Sequence, residues 1–183
     1  KMDYQKQIIA ELSETFLVVK PEQLQAVVER IQHCGKVFFD GLGRSSLAMR
    51  GSAMRLVQLG LQGCMVGEVT APALEKDDLL LICTASGTSP VLLYHAQQAI
   101  NNGGKVALIT GSPKSPLAEL ATDIILIPAS NKDSNQSEPT SIQPMGSLFE
   151  QTSQLVCDTI TLMLMEQMNI SSDDMRKRHA NIE

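Results

Sequence analysis

The chain has 183 residues, of which 43% are hydrophobic and 19% are charged, and its net charge is −5. This balance is ordinary for a globular domain with a sizeable core, and the negative charge argues against nucleic acid as the main partner. Aromatic residues make up only 3% of the chain and tryptophan is absent, so we expect no stacking platform for bases.

Helices and short apolar strands are predicted to alternate along the chain. Helices are expected at 3–19, 21–34, 47–59, 90–100, 116–121 and 147–168. Strands are expected at 37–39, 64–67, 79–83, 105–109 and 124–127. The strands are continuously apolar, which is typical of a parallel sheet covered on both faces. We therefore predict an α/β fold: a three-layer αβα sandwich with a five-stranded parallel sheet, doubly wound like flavodoxin.

Two turns rich in hydroxyl groups follow the first and third predicted strands, at Gly41–Ser46 and Thr84–Ser89. In a parallel sheet, ligands bind at the carboxyl ends of the strands, where both turns fall. The free amides that open a helix, together with nearby hydroxyls, suit a phosphate group. Neither the lysine of a P-loop nor the third glycine of a dinucleotide site is present, so a sugar phosphate is the expected ligand. Each turn by itself is equally compatible with a capped turn that binds nothing.

The four cysteines are predicted to be small core residues of a protein in the reducing cytoplasm. They are Cys34, Cys64, Cys83 and Cys157, and none forms a C-x-x-C pair. We therefore expect neither a metal nor a cofactor. No signal peptide and no apolar run of about 18 residues is recognisable, so no contact with a membrane is expected.

The last third of the chain carries two features that bear on function. The polar stretch 129–146 is long for a loop of a compact domain, and loops of this kind are usually functional or disordered. The helix predicted at 147–168 is apolar on more than one side, which indicates burial against a partner subunit as well as against the core.

Several segments together resemble the sugar isomerase (SIS) domain family, and within it the 6-phospho-3-hexuloisomerases. The matching segments are Gly41–Ser45, Ala53–Leu56, Gly67–Pro72, Ser86–Gly87, Ser115–Leu117, Ser141–Gln151 and Arg178–Asn181. The resemblance implies one SIS domain over 1–183, with helical extensions at 3–33 and 147–182. It also implies a homo-oligomer, a tetramer, and no cofactor.

The resemblance implies that the chain isomerises D-arabino-3-hexulose 6-phosphate to D-fructose 6-phosphate through an enediolate, in the ribulose monophosphate pathway. Such a reaction needs one base and a polar group for the two oxygens. An isomerase of another sugar phosphate is an alternative, because the family's turn has Glu where this chain has Thr88. A sugar-phosphate sensor is a second alternative. It would normally be joined to a DNA-binding domain, so an enzyme is favoured.

Glu150 and His179 are the implied catalytic residues, as the base and as the group that serves the oxygens or opens the ring. Taken without the resemblance, Glu150 is a first-turn glutamate that complements a helix dipole. Substrate and phosphate are expected to be bound by Gly43, Arg44, Ser45, Glu68, Thr84, Ser86, Gly87, Thr88 and Ser89. His33 and His95 are interpreted as structural, and Arg55 is expected to form an ion pair.

Overall fold

The computed structural model describes residues 3–129 and 141–182. The strands are β1 (Val37–Gly41), β2 (Gly63–Met65), β3 (Leu79–Thr84), β4 (Lys105–Thr110) and β5 (Asp123–Leu126). The helices are α1 (Tyr4–Phe16), α2 (Pro21–His33), α3 (Arg44–Gln58), α4 (Pro90–Asn101), α5 (Pro116–Leu120), α6 (Ser147–Gln167) and α7 (Ser172–Lys177). All strand pairs are parallel in the order β2-β1-β3-β4-β5, which confirms the predicted sheet.

The strand order places both predicted turns at one point of the sheet edge. The direction of winding reverses between β1 and β3, which lie side by side with Gly41 opposite Cys83. A crevice forms at such a reversal, outside the carboxyl ends of the two strands. The turns after β1 and β3 therefore face the same space.

The core is divided by the sheet into two layers, because successive side chains of a strand point to opposite faces. Phe39 belongs to the larger cluster, which is completed by buried residues of α2, α3 and α6. Phe38 belongs to the smaller cluster, which is completed by α4 and α5. Helix α1 lies outside the larger layer and contacts α6.

The first turn is shorter than the sequence predicts, because β1 continues to Gly41 and α3 already begins at Arg44. Only Leu42 and Gly43 remain between them. Gly43 has a φ of +58°, a backbone conformation that glycine adopts without steric cost. This single residue turns the chain from the strand directly into the helix.

A further difference concerns the end of helix α1. Helix α1 ends at Phe16 rather than at residue 19. The Leu17 amide donates a hydrogen bond to the Ser13 carbonyl and so completes the last turn of the helix. Of the predicted loop 129–146, residues 130–140 lie outside the described part of the chain. Residues 141–146 are described, with Met145 at a φ of +58°. No described helix is long and apolar enough to cross a membrane.

Candidate active site

The turn after β3 carries most of the predicted phosphate ligands. The Gly87 amide donates to the Thr84 hydroxyl at 3.4 Å, and the Thr88 hydroxyl donates to the Ser86 hydroxyl at 3.1 Å. Ser89 is the N-cap of α4, yet its side chain makes no capping hydrogen bond. The free amides at the start of α4 and these hydroxyls lie together, which is the arrangement that a phosphate requires.

This turn is supported from behind by the start of α5. The Leu117 amide donates to the Gly87 carbonyl at 3.1 Å. Ser115 caps α5 by accepting a hydrogen bond from the Ala118 amide. Gly87 has a φ of +68°, and a Cβ atom there would overlap the Ser115 side chain. The close contact fixes the height of the turn above the sheet.

The start of α6 closes the other side of the same crevice and leaves a cavity of about 440 Å³. The lining residues are Leu42, Ser45, Cys83, Thr84, Ala85, Ser86, Thr88, Ser89, Pro90, Met145, Gly146, Phe149 and Glu150. The carboxylate of Glu150 thus borders the same space as the hydroxyls of the β3 turn. A sugar phosphate seated on that turn would extend toward Glu150.

Arg44 and Glu150 form an ion pair across the crevice, with 2.7 Å between the Arg44 Nε and Glu150 Oε2 atoms. Glu150 Oε2 is buried and lacks an aligned hydrogen-bond donor among the described residues, so the contact is an ion pair without hydrogen-bond geometry. The Glu150 side chain is 20% exposed and that of Arg44 is 59% exposed. The guanidinium is therefore the more exposed partner of the pair, and Arg44 is not itself among the residues that line the cavity.

The neutral thiol of Cys83 is among the groups that line the cavity. Burial raises the pKa of Cys83 to about 11, and hydrogen bonds with Ser153 and Ser45 offset only part of this effect. The thiol is therefore protonated at neutral pH. Within the described residues, no group of three or more His, Cys, Asp or Glu side chains is placed to hold a metal ion.

His179 lies in a different groove of the chain from Glu150. This groove, of about 450 Å³, is formed by the second halves of α3 and α6 and by α7, and includes Arg55 and Asp158. The His179 Nδ1 atom is 2.8 Å from the Ala180 carbonyl oxygen. Within one copy of the chain, the two predicted catalytic groups border separate cavities.

Four predicted binding residues are not among those that line the cavity: Gly43, Arg44, Glu68 and Gly87. Gly43 caps the start of α3, so its contribution is to the course of the turn. Glu68 follows β2 and forms an ion pair with Arg50, with 2.8 Å between Oε1 and Nη1. Arg55, for which we expected an ion pair, instead donates to the Gln58 side chain at 2.8 Å. No carboxylate partner of Arg55 is found among the described residues.

Two polar contacts near the site were not foreseen from the sequence. The His95 Nδ1 atom lies 2.7 Å from Asp40 Oδ2, and Asp40 Oδ1 accepts a hydrogen bond from the Gly41 amide. This buried carboxylate therefore links α4 to the end of β1. The second contact joins Glu11 of α1 to residues 141–143. Neither contact follows a local sequence pattern that could have revealed it.

The SIS domain family matches residues 30–165, which include both turns and Glu150. The chain belongs to the SIS domain family. A 3-hexulose-6-phosphate isomerase of Mycobacterium gastri is 38% identical over 94% of this SIS domain chain and 86% of its own length. The enzyme of that name from Bacillus subtilis is 36% identical over 99% of this chain and 98% of its own length.

A solved structure from Methanococcus jannaschii has the same SIS architecture. It superposes with a TM-score of 0.82 over the full length of both chains, at 28% identity. Its structure was described as implying the function of a 3-hexulose-6-phosphate isomerase. The likeness to this structure extends to the helices on both sides of the family match, at residues 3–29 and 166–182.

Proposed function

We propose that this SIS domain interconverts D-arabino-3-hexulose 6-phosphate and D-fructose 6-phosphate through an enediolate. The observation that carries the proposal is the single cavity bordered by the β3 turn and by Glu150. The similarity to two 3-hexulose-6-phosphate isomerases over nearly the whole chain supports the same reaction. We place the enzyme in the cytoplasm, in the ribulose monophosphate pathway.

The reaction moves a carbonyl group between C3 and C2 of the sugar. A base must take the proton from one carbon and return it to the other, while the two oxygens exchange their roles as carbonyl and hydroxyl. Glu150 is the base, because it is the carboxylate that lines the cavity. Arg44, which forms an ion pair with Glu150, stabilises the negative charge of the enediolate.

The phosphate is bound by Ser45, Thr84, Ser86 and Ser89 together with the amides of residues 86–89. A hydrogen bond to a charged phosphate contributes about 1.5–3 kcal/mol. Ser86→Ala is therefore expected to raise KM about tenfold or more while kcat changes little. Ser46→Ala is the matched control, because this hydroxyl lies on α3 outside the cavity. An unchanged KM in Ser86→Ala would remove Ser86 from the phosphate site.

We further propose that the protein is a homotetramer and that His179 of one subunit acts at the cavity of its neighbour. Exposed apolar side chains on α1 and α6, among them Ile9 and Leu162, offer surfaces for such contacts. Light scattering at micromolar concentration is expected to give four times the chain mass. A monomer mass would contradict the assembly.

Mixed oligomers test the shared site. Glu150→Gln and His179→Ala chains, each of low activity alone, are expected to regain activity when they are unfolded and refolded together. Some cavities of the mixture then combine an intact Glu150 with an intact His179. If the mixture is no more active than its components, His179 does not act across the subunit boundary.

The substrate assignment is tested by coupling the purified protein to detection of fructose 6-phosphate, and arabinose 5-phosphate is tested in a separate assay that detects its isomerisation product, ribulose 5-phosphate. Turnover of the 3-hexulose phosphate, with no turnover of arabinose 5-phosphate, is the expected result. The reverse preference would favour the alternative that Thr88 leaves open, an isomerase of another sugar phosphate. Binding of both compounds without turnover would favour a sensor.

A further inference from the structure

Helix α1 contacts the segment that leads into α6 through one carboxylate. Glu11 Oε1 accepts a hydrogen bond from the Ile142 amide at 2.7 Å. Glu11 Oε2 accepts one from the Ser141 hydroxyl at 2.7 Å and one from the Gln143 side-chain amide at 3.1 Å. Three consecutive residues are thus held by a single side chain that is about 130 positions away in sequence.

The segment held by Glu11 continues directly into the turn that orients Glu150. The Pro144 carbonyl accepts hydrogen bonds from the Ser147 amide at 3.2 Å and from the Ser147 hydroxyl at 2.7 Å. The Glu150 amide donates to the Gly146 carbonyl at 2.9 Å, and a Cβ at Gly146 would lie 3.5 Å from Glu150 Oε1. The carboxylate of Glu150 therefore lies over the backbone whose path Glu11 fixes.

The chemistry of this contact requires an ionised acceptor. Burial acts to raise the pKa of Glu11, but the hydrogen bonds from Ile142, Ser141 and Gln143 outweigh it, so the pKa lies below its ordinary value. An ionised carboxylate offers two oxygens that only accept, and these match three donors. A glutamine has one accepting oxygen and places an NH₂ group against a donor.

We propose that Glu11 is a positioning residue for catalysis, which anchors residues 141–143 so that the Glu150 carboxylate faces the phosphate turn. The inference rests on the proposed role of Glu150 as the base. A misplacement of about 1 Å at a reacting group can lower the rate about 100-fold. The contribution of Glu11 is therefore expected in kcat rather than in phosphate binding.

The test compares Glu11→Gln with Glu14→Gln, which removes the same charge from an exposed position of the same helix. We expect kcat to fall about 10- to 100-fold in Glu11→Gln, with KM within about twofold of the wild type. Glu14→Gln is expected to match the wild type. A normal kcat in folded Glu11→Gln, or an equal fall in both variants, would overturn the proposal.

A double variant shows whether Glu11 acts through Glu150. Residues that act through one another give non-additive effects, so Glu11→Gln/Glu150→Gln is expected to be no slower than Glu150→Gln. Fully additive losses would contradict a positioning role. A fully active Glu150→Gln would instead reject the base assignment, so the two proposals fail in different ways.

Amide hydrogen exchange gives a readout that does not depend on activity. The Ile142 amide is expected to exchange faster in Glu11→Gln than in Glu14→Gln, because its acceptor is weakened. If Glu11→Gln does not fold, Ser141→Ala/Gln143→Ala removes two of the three donors and leaves Glu11 in place. This variant is expected to show a smaller fall in kcat with the same normal KM. Unchanged exchange of Ile142, or an unchanged kcat in this variant, would overturn the anchoring role.

Discussion

Glu150→Gln is expected to lower kcat about 10²–10⁴-fold, the usual effect of losing a positioned base. The substitution preserves the size of the side chain but removes the carboxylate that borders the cavity. KM should change little, because the hydroxyls and amides of the β3 turn are untouched. Steady-state kinetics with the 3-hexulose phosphate and with fructose 6-phosphate measure both constants in the two directions.

The control for this variant is Glu166→Gln, which removes a carboxylate from an exposed position near the other end of α6. It is expected to leave both constants unchanged. Near-normal turnover in Glu150→Gln would eliminate Glu150 as the base. Glu68, which follows β2 and pairs with Arg50, would then be the next carboxylate to test.

Gly87→Ala is expected to lower the free energy of unfolding by about 2–5 kcal/mol and to raise KM more than tenfold. The φ of +68° is unfavourable for alanine, and the new Cβ would overlap the Ser115 side chain. The turn must then rise from α5, which displaces Ser86 and Thr88 from the cavity wall. Denaturant unfolding and steady-state kinetics measure the two effects.

Gly67→Ala is the matched control for the backbone strain. Gly67 has a φ of +83°, but a Cβ there has no neighbour within 4 Å. Gly67→Ala is therefore expected to lower the free energy of unfolding only by the cost of placing alanine at positive φ, about 1–2 kcal/mol, and to leave KM unchanged. Equal losses of stability in the two variants would show that contact with Ser115 does not determine the position of the phosphate turn.

The sheet and its turns could be predicted because local patterns specify them. Continuous apolar runs mark strands buried on both faces, and the run at 79–83 falls within β3. Proline at the first helical position marks the starts of α2, α4 and α5. The short length of the first turn could not be predicted. Residues expected in that turn belong to β1 and α3, because a single glycine at positive φ is enough to turn the chain.

The relations between distant elements could not be predicted in the same way. The ion pair of Arg44 with Glu150 joins the starts of α3 and α6, and the acceptor contacts of Glu11 join α1 to residues 141–143. Such contacts depend on how the helices pack against the sheet, and the hydrophobic periodicity of the sequence does not predict them. His95 was interpreted as structural, and its contact with buried Asp40 is consistent with that interpretation.

The candidate catalytic residues were predicted from the resemblance to a family rather than from a periodic pattern in the sequence. A glutamate in the first turn of a helix ordinarily complements the helix dipole, and Glu150 occupies such a position. Its position beside the cavity depends on how the helices pack on the sheet, which no local sequence pattern shows. His179 borders another groove of the same chain, so its role remains a prediction that depends on a neighbouring subunit.

The most direct test of the central claim is the incorporation of deuterium into fructose 6-phosphate in deuterated water, followed by proton NMR. Moving the carbonyl from C2 to C3 requires removal of the proton on C3, so the wild type is expected to exchange the C3 proton and to leave the C1 protons unchanged. Glu150→Gln is expected to lose this exchange. Exchange at C1 would indicate an aldose–ketose isomerase instead, and C3 exchange at the wild-type rate in Glu150→Gln would contradict the role of Glu150 as the base.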